Sequence, residues 1–299
     1  MTGLTDHLRV MQPLPGIFAF YDGRVEGHRF AEGANWVDDG ALSLGIASYA
    51  VVSGDQALVH DTHVSVAHAR RVREVLEAAG ARRFTVVLSH CHLDHVAGTE
   101  VFADCEIIAN RRTMRHLSRD RAAIEAGRLI GPPRIAPLIL PTRVFDGSLD
   151  LMVGTAAVRL IEANIHSDDA TLVWLPDSSV LLAGDAVEDT VTYVGDPASF
   201  ALHLAELGRI SALAPRHILP NHGAPEVIAA GGYGPSLLAA TAEYIRWLMW
   251  LHLEPALVEM PLAEVIAPQL AAGALTWFAP YEAIHRQNMA RTLAVAPHG

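Results

Sequence analysis

Residues 89–95 read Ser89-His90-Cys91-His92-Leu93-Asp94-His95 and follow the apolar, β-branched run Phe84-Thr85-Val86-Val87-Leu88. A run of that length and composition has the character of a buried strand. Alternate side chains of an extended segment share a face, so His90, His92 and Asp94 are expected to project together from the strand end. His95 then falls at the start of the next turn, beside the carboxylate. Three imidazoles and one carboxylate within six residues form a donor set of the kind that holds a divalent transition metal. Cys91 lies between two of the histidines, and the same alternation points it to the opposite face as a buried structural thiol.

Further donors appear at similar places along the chain. The apolar run 160–165 leads into His166, 180–184 into Asp185, and 217–221 into His222. Each run delivers its His or Asp at the C-terminal end of an expected strand, before a small or polar turn.

In this pattern the chain resembles the metallo-β-lactamase superfamily, also called the metallo-hydrolase fold. The likeness rests on His-x-His-x-Asp-His at 90–95, His166-Ser-Asp-Asp, Gly184-Asp185 and Asn221-His222-Gly223, and it covers roughly residues 45–225. It implies an α/β fold, a four-layer αβ/βα sandwich of two mixed β-sheets, here with a C-terminal helical extension. Position by position, it implies His90, His92 and His166 on one metal, Asp94, His95 and His222 on a second, and Asp185 bridging both. The implied cofactors are two Zn²⁺, with Fe or Mn accommodated by the same donors. The implied reaction is cleavage of an ester, thioester or lactone of a small molecule by a hydroxide shared between the metals, with Asp94 as proton shuttle. Other chemistries of the fold compete: hydrolysis of phosphodiesters, alkyl sulfates or β-lactams, and a mononuclear iron persulfide dioxygenase using only His90, His92, His166 or Asp185-type ligands. The superfamily usually keeps an aspartate near the metals at the place of Asp61, which would orient a ligand imidazole. A helix cap formed with Thr62 is the competing reading of that residue.

Composition narrows the classes. The chain has 299 residues, 51% hydrophobic and 18% charged, which describes a well-buried globular protein. All 22 basic residues are arginine, so lysine Schiff-base chemistry and a Walker-type phosphate loop are excluded. A net charge of −11 repels nucleic acid, so the expected partner is a small-molecule substrate rather than nucleic acid or a membrane. Homo-oligomerisation is left open. Two cysteines make no disulfide framework, and residues 1–7 carry no basic-then-apolar leader, so cytoplasmic residence is the expectation.

The expected division is a metallo-hydrolase domain over 1–232, with residues 1–45 as an N-terminal strand and loop extension, and a helical extension over 233–299. A first strand is expected at 16–21, a hairpin at 48–61, helices at 64–79, 96–102 and 111–128, and a proline-punctuated connection between the halves at 131–141. The second half repeats strands at 156–161, 170–175, 180–183 and 217–220, with a helix at 199–213. Three helices close the chain, at 236–253, 262–272 and 281–294. Trp36, in a Gly- and Asp-rich loop, reads as an apolar lid over the substrate or as a core residue. Tyr193 and Asn221 are candidates to assist an oxyanion, and His285 and Asn288 share one face of the last helix. Many antibiotic-hydrolysing members of the superfamily carry a lysine three residues after the ligand matching Asp185, whereas this chain has Glu188. A carboxylate there would favour neutral or cationic substrates if it faces the cleft.

Overall fold

The computed structural model describes residues 4–295. Residues 1–3 and 296–299, the outer ends of the two expected domains and the start of the segment read for a leader, lie outside the described residues. Twelve strands form two sheets. The first contains β1 (Arg9–Leu14), β2 (Ile17–Asp22), β3 (Ile46–Ser53), β4 (Gln56–His60), β5 (Arg83–Val87), β6 (Glu106–Asn110) and β7 (Arg143–Phe145), in that spatial order. The second runs β12-β11-β10-β9-β8, from β8 (Ser148–Val153), β9 (Ala156–Ile165), β10 (Ser167–Leu175), β11 (Val180–Gly184) and β12 (His217–Pro220). Both are mixed. The β1–β4 meander is antiparallel and β4 to β7 are parallel, while β8 to β11 are antiparallel and β12 joins β11 in parallel.

The helices are α1 (Val66–Ala78), α2 (Leu93–Val96), α3 (Arg111–Glu125), α4 (Phe200–Ser211), α5 (Pro225–Ala229), α6 (Ser236–Trp250), α7 (Leu262–Val265), α8 (Ala267–Ala271) and α9 (Tyr281–Ala294). Ser65 caps α1 by accepting the His68 N–H, and Asn110 caps α3 by accepting from Arg112 and Thr113. Cap formation by Ser65 removes the helix-cap reading of Asp61. Two apolar layers result. One joins the inner faces of both sheets through residues such as Tyr49, Leu58, Leu172 and Leu182, and the other buries Val72, Leu76 and Leu117 against the outer face of the first sheet. This is the four-layer αβ/βα sandwich. No helix among the described residues is long and apolar enough to cross a membrane.

Several boundaries differ from the sequence expectation. Strand β1 was not expected, because Gln12 and Pro13 break its apolar run; β2 is its strand partner, and Met11 and Leu14 pack against the core. The segment 32–40 was expected as loop, but Val37–Leu42 form one π-helical turn in which Asp38 accepts from the backbone N–H groups of Phe30 and Ala31. The first sheet extends through β7, so the chain changes sheets at the Asp146-Gly147 turn and not within 131–141. The C-terminal helices continue the core: Leu237, Tyr244, Ile245, Leu248, Tyr281 and Met289 belong to the same apolar cluster as the strands of the second sheet.

Candidate metal centre

The donors named from the sequence lie beyond the C-terminal ends of strands β5, β9, β11 and β12, with Asp94 and His95 on the short helix that follows β5. The chain leaves β5, runs through Leu88 and Ser89, and presents His90 and His92 before turning into α2. Asp94 therefore reaches the site on the first turn of a short helix, not by strand alternation as expected, and His95 follows it on the same turn. His166 occupies the tight junction of β9 and β10 with φ +68°, and Asp61 follows β4 with the same left-handed backbone. Side chains with a Cβ rarely adopt that conformation, and such strain concentrates at functional positions. Asp185 follows β11, and His222 lies two residues beyond β12. Backbone bonds tie the edges together: Asn221 N to Gly184 O at 2.9 Å, Thr171 N to Ser89 O at 2.6 Å, and Thr62 N to His95 O at 2.7 Å.

The side chains converge in two groups, His90, His92, His166 and Asp185 in one and Asp94, His95 and His222 in the other. In the first, His92 Nδ1 lies 2.9 Å from His90 Nε2 and 3.1 Å from His166 Nε2. In the second, His222 Nε2 and His95 Nε2 lie 3.4 and 3.5 Å from Asp94 Oδ2. Asp185 Oδ2 stands between them, 3.1 Å from His95 Nε2, 3.4 Å from His222 Nε2, 3.6 Å from His90 Nε2 and 3.7 Å from His166 Nε2. The structure thus brings all seven residues together.

The other ring nitrogen of four imidazoles is held from behind. His90 Nδ1 meets Ser89 Oγ at 2.9 Å, His95 Nδ1 meets Asp61 Oδ2 at 3.0 Å, His166 Nδ1 meets the Tyr193 carbonyl at 3.2 Å, and His222 Nδ1 meets the Gly45 carbonyl at 2.6 Å. Such outer contacts fix ring orientation and leave the inner nitrogen as the donor atom. Gly45 is required at its place: φ is +77°, and a Cβ would collide with the Tyr21 hydroxyl.

Charge tests whether divalent cations fit. Burial pushes His90 well below its ordinary pKa and brings His92 down to about 4. Burial also opposes charge on His95 and His222, but Asp185, with Asp94 and Asp61 beside His95, outweighs it and holds both well above the usual imidazole range. Burial likewise opposes charge on Asp185 and Asp94, and the same histidines hold both carboxyls well below their usual range. The pocket therefore stabilises positive charge between its carboxylates. Asp185 Oδ1 is buried with no hydrogen-bond partner, which is how a carboxylate aimed at a cation stands. N and O donors in this arrangement fit divalent metal.

The remaining candidates divide. Asp61 accepts from Ser89 N at 2.7 Å and from Asn221 Nδ2 at 2.5 Å besides facing His95, so it orients the metal-binding loop and its ring together. Asn221 is fully buried and its amide is spent on Asp61, which removes it as an oxyanion donor. Trp36 is 8% exposed, packs in the core, donates from Nε1 to Pro133 O at 2.9 Å, and still lines the cleft. Tyr193 is half-buried at the cleft wall, with its ring 5.6 Å from that of His166. Cys91 also borders the cleft rather than facing away; burial and then Asp169 push its thiol pKa far up, so it stays protonated.

Glu188 lines the cleft rather than turning to solvent, but its carboxylate is not free. It is 2% exposed; Oε1 accepts the Tyr193 N–H at 2.9 Å and lies 3.4 Å from His166 Nδ1, and Oε2 accepts the Tyr281 hydroxyl at 3.0 Å. Asn288 accepts from Val194 N at 2.8 Å and donates to Thr192 O at 2.9 Å. Helix α9 therefore clamps the segment that backs His166. His285, buried against the Tyr244 hydroxyl at 3.0 Å, does not join the site. Sequence reading missed Tyr281, whose role arises only from long-range packing. It also passed over a third group, His116, Asp168 and Asp169, although two of these directly follow His166-Ser167.

Comparison with known proteins agrees with this geometry. Residues 44–237 match the model of the metallo-beta-lactamase superfamily. Among curated proteins, the "Putative transcription factor avaE" of Aspergillus versicolor is 29% identical over 181 residues, 56% of this chain and 52% of that protein. A hydroxyacylglutathione hydrolase of Cereibacter sphaeroides is 29% identical over 140 residues, 47% of this chain and 48% of that protein. The chain spans about half the length of the curated relatives it matches. Among solved structures, the DIM-1 metallo-beta-lactamase exposed to ceftazidime superposes with a TM-score of 0.59 at 19% identity, over 81% of this chain and 97% of that one. The metallo-beta-lactamase from Pontibacter korlensis gives 0.60 at 16%, over 80% and 99%. At such identities the likeness is one of fold; with the family match over most of its length, the chain belongs to the metallo-beta-lactamase superfamily.

Proposed function

We propose that the chain is a metal-dependent hydrolase that cleaves an ester, thioester or lactone of a small molecule. The observation that carries this reading is the position of Asp185 Oδ2, within 3.1–3.7 Å of four imidazole nitrogens drawn from both donor groups. A single-metal dioxygenase has no use for the second group, Asp94, His95 and His222, which is fully assembled here. Zn²⁺ suits the N and O donors, and Fe or Mn fits the same set. A bound pair of such ions would supply Lewis acidity and a water whose pKa is lowered to near neutrality.

The protein's own part is positional. Asp94 has 18% of its side chain exposed against 3% for Asp185, so it is the carboxylate placed to exchange a proton with a bound substrate. Asp185 is enclosed and serves as the central negative charge. Tyr193, at the cleft wall beside His166, can orient the carbonyl side of a substrate. The relative named as a hydroxyacylglutathione hydrolase supports acyl chemistry over phosphodiester, sulfate or β-lactam cleavage. The test is a hydrolytic screen of metal-replete protein on matched esters, thioesters, lactones, β-lactams and phosphodiesters, with and without chelator. Chelator-sensitive turnover of the ester-like compounds is expected; activity confined to phosphodiesters or β-lactams overturns the reading.

A further inference from the structure

The two donor groups lie at one end of a cleft of about 930 Å³, and the remainder of that cleft carries no assigned role. Its far wall is built from Trp36, Leu117, Ile124, Leu129, Ile130 and Pro132. Leu117 and Ile124 form its floor from the buried face of α3. Leu129 and Ile130, in the connection after α3, are 40% and 61% exposed. Large apolar side chains held open to water beside a reactive centre mark a binding surface more often than scattered exposure does.

Charge along the same cleft is equally informative. Besides the donor groups, its acidic and basic lining is Asp39, His116, Arg119, Asp120 and Glu188; His116 faces Asp168 at 2.8 Å, and Glu188 is held by the Tyr193 N–H and the Tyr281 hydroxyl. Arg119 is closed on Asp120 through two hydrogen bonds of 2.9 and 2.6 Å, and Asp39 pairs with Arg29 at 3.2 Å. Nearby Arg291 is held over the Tyr193 ring at 4.8 Å. The described cleft wall thus presents no unpaired cation to a substrate carboxylate, and the chain has no lysine to supply one.

We infer that this wall is a subsite for an aliphatic acyl arm, and that the substrate's other half is neutral rather than an anionic carrier such as glutathione, with its two carboxylates. This rests on the hydrolase reading for the orientation of the substrate, with its carbonyl at the donor groups and its chain along Leu129 and Ile130. The wall is continuous with the donor groups, which is why a substrate arm is its occupant. Burial of each methylene there should raise affinity about threefold to fourfold until the wall is covered.

Two measurements separate the subsite from the reaction. The first is calorimetric binding of neutral straight-chain amides, butanamide to decanamide, which need not be hydrolysed, to metal-replete wild type and Ile130→Asn. Affinity should climb with chain length in the wild type, and the slope should fall in the variant with metal content unchanged. A flat series in wild type overturns the subsite even if the protein is an active hydrolase. The second compares kcat/KM for octanoyl thioesters of N-acetylcysteamine and of glutathione. A preference of about tenfold or more for the neutral carrier is expected because the wall offers the glutathione carboxylates no unpaired cation, and equal or better turnover of the glutathione thioester overturns the charge argument. No turnover of either excludes thioesters as substrates and overturns the carrier argument, and the amide series then decides the subsite. Sedimentation of both proteins completes the set: an Ile130→Asn variant that loses self-association while keeping the wild-type amide slope assigns the wall to an interface between copies instead.

Discussion

Glu188→Gln is the sharpest probe of how the centre is supported. The change keeps side-chain volume and removes one charge. The substituted amide oxygen can still accept the Tyr193 N–H, and the amide N–H can face the Tyr281 hydroxyl, which rotates to accept. What disappears is the carboxylate 3.4 Å from His166 Nδ1. Loss of such an outer partner costs about 10–100-fold in metal affinity, or roughly 1.4–2.8 kcal/mol. His166 retains the Tyr193 carbonyl at 3.2 Å, and it is one of three imidazoles in its group, so the lower end, about tenfold, is expected. The assay is zinc titration of metal-free protein against a chromophoric chelator. One site should weaken while the other, built on Asp94, His95 and His222, holds. Tyr281→Phe should shift the same site in the same direction by less. Unchanged affinity in both variants would refute the positioning argument, and a change in substrate-charge preference without any change in affinity would make Glu188, which also lines the cleft, a substrate-selecting residue instead.

Three further outcomes follow from particular contacts. His203 is 1% exposed with neither ring nitrogen hydrogen-bonded, and burial pushes it down to about 4. Its folded pKa lies below the unfolded value of about 6.5, so its contribution to stability is complete above that pH and is lost as pH falls toward 4, by about 3 kcal/mol in all. His203→Leu should flatten denaturant-measured stability across that window; an identical acid slope in the two proteins would contradict this. Truncation after Gly231 removes Leu237, Leu238, Tyr244, Ile245 and Leu248 from the shared core, each worth about 1.5–3 kcal/mol, which together match the whole stability of a typical domain. The truncated chain should fail to fold, and a soluble, cooperative unfolding transition would show that the helices are dispensable. Asp185→Asn should lower turnover by orders of magnitude and release at least one metal, read by elemental analysis alongside the rate.

The donor set was legible because it is local or stands at strand ends, where an apolar run simply stops at a His or Asp. The path to Asp94 was not, since one turn of helix replaces the extended backbone after His92, and nothing in Leu93-Asp94-His95-Val96 favours either form on its own. Strands β1, β7 and β8 escaped notice for a related reason. Gln12-Pro13, Arg143 and Asp150 weaken their patterns, and pairing with a distant neighbour stabilises them. The role of Glu188 was visible only as a charge at a given spacing. Its partner Tyr281 lies 93 residues away and enters through packing of α9. Likewise, Asn221 lost its oxyanion role to a bond across 160 residues with Asp61.

The central claim, that seven side chains form one two-metal hydrolytic centre, is tested most directly by counting metals in the purified, metal-replete chain while following its hydrolysis. About two divalent ions per chain are expected, with turnover lost on chelation and restored when both are returned. One iron per chain, with dioxygen consumed and no hydrolysis, would contradict it.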